Sequence, residues 1–146
     1  MTHLTDSGTL ASIASIIAGF SVAMLYFRIQ RELDMGQKGE RNWIPWSDWL
    51  LIAAIMLSLL LGIIPLLAMR MSSKAYLILP SSSCAGASIL VAGYPLAILA
   101  HYRFILGGSR KGPRYNPEPA ERWIVLATFA TSLAVFAWVT WTRLAG

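Results

Sequence analysis

An all-α polytopic membrane protein, a bundle of four transmembrane helices with both termini outside the cytoplasm, is the fold class this sequence predicts, and three observations predict it. The chain of 146 residues is 56% hydrophobic and only 13% charged, where soluble domains carry about 25% charged residues. Four apolar stretches, each near or above the length that crosses a hydrocarbon core of roughly 30 Å, fill most of it. The basic residues gather in two of the three connecting segments. Separate domains need at least about 50 residues, and the polar sequence outside the spans is too short for one. Residues 1–146 therefore read as a single integral membrane domain.

The first span covers about residues 10–27, near the lower limit for crossing a bilayer. The segment before it, MTHLTDSG, has no Lys or Arg, and Arg28 and Arg31 follow the run. A secretory signal carries its basic residues first, so this stretch is expected to be a retained helix. Spans two and four, about 49–69 and 123–141, are almost uninterrupted. The third, about 76–101, has Pro80 near its start and Pro95 inside it.

Arg28, Arg31, Lys38 and Arg41 lie between spans one and two, and Arg103, Arg110, Lys111, Arg114 and Arg122 between spans three and four. Arg70, Lys74 and Arg143 fall on the other side. The positive-inside rule then predicts an N-out, C-out topology with cytoplasmic loops at about 28–48 and 102–122. Trp43, Trp46, Trp49 and Trp123 would form the cytoplasmic aromatic belt, with Tyr76, Trp138 and Trp141 in the outer one. The first loop continues the opening helix through RIQREL and turns at Gly36 and Gly39. The second, LGGSRKGPRYNPEPAER, is rich in Gly and Pro, with Pro119 placed to open the fourth helix.

Inside the spans the strongest pattern is small residues at helical spacing. Gly8, Ser12, Ser15, Gly19 and Ala23 share one face of the first helix. Span two offers Ala54, Ser58 and Gly62, and span three offers Gly86 and Gly93. Such faces let helices approach closely where lipid supplies no hydrophobic drive to associate. They are expected to hold the four helices together, with self-association as the sharper reading. Ser82, Ser83 and Ser88, with Cys84, form the polar cluster of span three and are candidate pore-lining residues; the plainer expectation bonds each hydroxyl to a carbonyl one turn back. Pro65 and Pro95 each remove a backbone donor and crowd the carbonyl four residues earlier, so bends are expected there.

His101 is expected at the interface, its polar tip among the headgroups. One cysteine and two separated histidines do not form a metal or haem constellation, so no metal and no cofactor are predicted. No ionisable side chain shares the depth of the serine cluster, so no general base is available to a nucleophile and no enzymatic activity is expected. Arg110, Lys111 and Arg114 lack a Walker A arrangement and are expected to meet anionic headgroups or a partner protein. Nucleic acid is not an expected partner.

Four spans in a chain of this size resemble the small multidrug resistance transporters in helix count. Proton coupling in that family depends on a glutamate inside the first span, and the first span here, LASIASIIAGFSVAMLYF, contains no carboxylate. The resemblance therefore implies a span number and no activity. The functional expectation is a non-catalytic, multi-pass accessory or structural subunit of a bacterial inner or plasma membrane, assembling with itself or with a membrane partner. The alternative is a homo-oligomeric pore or channel gated through the basic cytoplasmic loop.

Overall fold

The computed structural model describes residues 6–37, 46–68, 74–105 and 118–145, and of Gln37, Lys74 and Ala75 the backbone alone. Within them the chain is all-helical, with four helices long and apolar enough to span a membrane. Helices are the economical solution in such a sequence, because every backbone N–H and C=O in hydrocarbon must find its partner within the chain. Helix α1 runs Ser7–Gln37. Asp6 caps it, accepting the Gly8 N–H at 3.1 Å, while the Asp6 carbonyl accepts from Leu10 N–H at 3.1 Å.

Helix α2 covers Asp48–Ala68 and changes register on the way. Residues Leu57–Ile63 are π-helical, and the Ile64 N–H bonds the Leu59 carbonyl five residues back. Pro65 follows directly. Its ring would crowd the Leu61 carbonyl in an α register, and the wider π turn gives that carbonyl room. Helix α3, Ile78–His101, follows a 3₁₀ turn at Lys74–Leu77 and passes through Pro95 without a break in its assignment. The two prolines thus act differently: one sits beside a register change, the other inside a continuous helix.

Helix α3 ends in a Schellman motif. The Phe104 N–H reaches the Leu99 carbonyl at 2.8 Å and the Arg103 N–H reaches Ala100 at 2.9 Å. The motif needs a left-handed residue, and Arg103 supplies it at φ 59°. Helix α4, Pro119–Ala145, opens with proline at its first position, where the missing N–H is not needed.

Helix α3 is central, packing against α1, α2 and α4. The main core joins Leu50, Ala54, Ala87, Leu90, Ala97 and Val125, and a smaller one joins Leu10, Ala14 and Cys84. Between α3 and α4 the contacts are small and hydroxylic. Ser132 Oγ donates to the Gly86 carbonyl at 2.9 Å, and the hydroxyls of Ser82 and Thr140 lie 2.8 Å apart. At Gly93 the backbones come so close that an added Cβ would fall 2.9 Å from Thr128 Cβ.

A buried ionic cluster as the candidate functional site

The end of α1, the start of α2, the end of α3 and the start of α4 meet in a cluster of charged side chains that have left the solvent. Glu121 is completely buried, and Arg28, Glu118 and His101 are less than a tenth exposed. Glu121 stands in the first turn of α4, where a carboxylate is favoured by the helix dipole and often turns back to cap its own helix. Here it bridges to two other elements. Its Oε1 accepts the Ser47 N–H at 2.9 Å, in the turn that opens α2, and its Oε2 lies 2.8 Å from Nδ1 of His101 in the last turn of α3. With Glu121 ionised, that second contact requires an Nδ1–H proton on His101 donating to the carboxylate.

Beside it, Arg28 of α1 pairs with Glu32 one turn on and lies 3.8 Å, Nε to Oδ1, from Asp48 at the start of α2. A further pair closes the α3–α4 connection: the Arg103 guanidinium donates through Nε to Glu118 Oε1 at 3.0 Å and through Nη2 to Oε2 at 3.1 Å. That two-pronged pair accounts for an arginine at a left-handed position that glycine occupies more cheaply. Every helix contributes a polar side chain, and each carboxylate faces an arginine or the His101 ring. Removing both partners of such a pair is often tolerated, whereas removing one strands the other in a low-dielectric site. The arrangement is therefore best suited to fixing the relative position of four helix ends. Among the described residues, no group of three or more His, Cys, Asp or Glu side chains is placed to hold a metal ion.

The structure corrects two expectations from the sequence. His101 does not hold its polar tip in the headgroups; its side chain is 6% exposed and bonded to Glu121. The reason is that Glu121, in the first turn of α4, lies against the ring. The small-residue face of α1 is not the face that packs within the chain. Ser12, Ser15, Gly19 and Ala23 are exposed, and nothing lies within 4 Å of a Cβ built on Gly19. The buried positions are Leu10, Ala14, Ala18, Ser21 and Arg28. Residue size alone pointed to one face; the cluster at Arg28 and the core at Ala14 turn a different one inward.

On the other helices, the small residues named from sequence lie at contacts. Ala54 and Ser58 are fully buried. A Cβ on Gly62 would lie 3.1 Å from Ala14 Cβ and 3.2 Å from Ser83 Oγ, and one on Gly86 3.2 Å from Ser132 Oγ. Ser82 and Ser83 are enclosed within the chain. Ser83 donates to the Pro80 carbonyl at 2.9 Å, and Ser88, on the outer surface, to Cys84 at 2.8 Å. Arg110, Lys111 and Arg114, together with Trp43, lie outside the described residues.

Sequence reasoning passed over Glu121, Asp48 and Arg28 because each lies at the end of a span, where a charge looks solvated. The available signal was recurrence: Arg28, Asp48, His101 and Glu121 bring an ionisable side chain to the same end of four successive spans. Comparison of the chain with protein-family models, with curated proteins and with solved structures found no match.

Proposed function

We propose that this protein is a non-catalytic multi-pass membrane subunit, a four-helix bundle with both termini on the non-cytoplasmic side, that acts by assembling with copies of itself or with a membrane partner. The observation that supports this reading is the division of α1 into two faces. One face packs within the chain through Ala14 and Ala18, while Ser12, Ser15, Gly19 and Ala23 form a second, shallow face that the described residues leave uncovered. A bilayer gives apolar side chains no reason to associate, so close backbone approach at small residues is a principal source of helix–helix affinity. The buried ionic cluster supports the same reading, because it fixes the bundle on which that face is presented. A pore has less support: Ser82 and Ser83 would have to face an open axis, and both are enclosed in one chain with their hydroxyls engaged.

Gly19→Leu tests this directly, since the open space at Gly19 leaves the single chain able to accept the larger side chain. Measured by light scattering after gentle detergent extraction, the natural chain is expected to run as a discrete multiple of 16.0 kDa, or with a partner. The variant is expected to fall to the single-chain mass with unchanged helix content. A natural chain that stays single in both detergent and bilayer nanodiscs overturns the proposal.

A further inference from the structure

The same cluster shapes a groove on the outside of the protein. By accepting the Ser47 N–H, Glu121 ties the Trp46–Ser47 turn to the first turn of α4. Between the start of α2 and α4 this leaves a groove of about 330 Å³, lined by Trp46, Trp49, Val125, Leu126 and Phe129. Its size falls at the lower end of ligand pockets, roughly 300–1,000 Å³. Every lining side chain is apolar or aromatic, so the groove itself accepts hydrocarbon.

Beside it stands a cation without a carboxylate. The Arg122 guanidinium lies over the Trp46 ring, 5.2 Å from its centroid. The two acidic residues nearest in sequence are occupied elsewhere: Glu118 holds Arg103 and Glu121 holds His101 and Ser47. Among the described residues no acid pairs with Arg122. Arg122 is exposed, and a guanidinium held over a ring face still has N–H donors that match two phosphate oxygens at once. Trp46 and Trp49, amphipathic rings of the kind that gather at headgroup level, set the depth.

We propose that this groove is a binding site for an anionic phospholipid, its acyl chain lying against Val125, Leu126 and Phe129 and its phosphate held by Arg122. The inference is independent of the assembly reading, because the groove lies on α2 and α4 and the uncovered small face on α1. Charge complementarity selects the occupant. A neutral lipid or detergent fills the apolar part equally well but leaves the arginine unbalanced at the membrane surface.

The test is lipid retention. The full chain is reconstituted into vesicles of equal phosphatidylglycerol and phosphatidylcholine, extracted gently, and its co-purifying lipid quantified by mass spectrometry. The natural chain is expected to retain phosphatidylglycerol over phosphatidylcholine in a ratio of about five to one, which is what one arginine contributes at an anionic surface. Arg122→Gln is expected to return the ratio to that of the mixture, and Arg122→Lys to keep part of the preference. Leu126→Trp, which fills the groove and spares the charge, is expected to lower the lipid retained per chain. Three results overturn the proposal. One is a natural chain with no preference. Another is a preference that survives Arg122→Gln and disappears when Arg110, Lys111 and Arg114 are replaced by Gln, which assigns it to the loop. The last is complete displacement of the lipid by inorganic phosphate alone, which makes the site one for free anions.

Discussion

Replacing Glu121 by alanine separates two accounts of the buried cluster, because they differ in size. If Glu121 merely contributed two interhelical hydrogen bonds of the strength common in membrane proteins, about 0.6 kcal/mol each, its loss would cost roughly 1 kcal/mol. Its carboxylate is completely buried, however, and bonds the side chain of His101 and the backbone of Ser47. Truncation leaves a buried ring nitrogen and a buried N–H without acceptors and opens a void. Each stranded donor costs about 1–3 kcal/mol, and with the void the expected loss is about 3–5 kcal/mol. Glu121→Gln keeps the volume and an oxygen for the Ser47 N–H, so its expected cost is about 1–2 kcal/mol. The assay is unfolding in mixed micelles, titrating with a denaturing detergent and following helix content. In a double-mutant cycle, the His101→Ala and Glu121→Ala costs should fall short of additivity by about 0.5–3 kcal/mol. An alanine variant losing less than about 1 kcal/mol, or strictly additive single variants, would refute the reasoning.

Other sites give independent outcomes. Gly93→Ala places a methyl against Thr128, and overpacking of this kind costs about 1–3 kcal/mol; the companion Gly93→Ala/Thr128→Ala should recover much of it, and failure to recover would show that the contact is not the cause. At Arg103 the order of stability is expected to be natural chain, then Gly, then Ala. Glycine loses the Glu118 pair but relieves the left-handed backbone, by about 1 kcal/mol, whereas alanine loses the pair and keeps the strain; equal stabilities for Gly and Ala would contradict the strain argument. For topology, single cysteines at Thr9 and Thr142, both exposed, should react with a membrane-impermeant maleimide added outside intact cells. The natural Cys84 is buried and should stay silent; labelling only after lysis would reverse the orientation.

The number and approximate limits of the spans were legible because mean hydropathy is a sum over many residues and survives local errors. The register change in α2 was less so: Pro65 marks a disturbance, but whether a helix bends, widens or continues depends on what neighbours allow, and Pro95 sits in an uninterrupted helix. The site was the least legible part. Glu121 is buried against the Ser47 turn and the His101 ring, two partners 54 residues apart in sequence. Neither leaves a periodic trace. A charge at a span end is solvated or buried according to how the connecting backbone folds over it, and hydropathy averages contain no term for that.

The two faces of α1 show why small residues alone did not predict its packing. A helix needs glycine or serine only where another backbone approaches closely, and α3 and α4 meet that way through Gly93, Gly86 and Ser132. Inside the chain α1 also meets its neighbours through small groups, Ala14 against Gly62, so both of its faces had the right composition. The ionic end lies on one of them. Arg28 turns toward Asp48 at the start of α2, and Ser21, Ala18 and Ala14 lie on the same side of the helix and are buried with it. Ser12, Ser15 and Gly19 are then left outward by geometry. The charge pair therefore lies on the same side of α1 as the small face that packs within the chain. If the proposed assembly uses the outward face, a substitution at Arg28 or Asp48 should weaken it, measured as a lower mass by light scattering, through a face that neither residue touches; an unchanged mass would separate the ionic end from the orientation of α1.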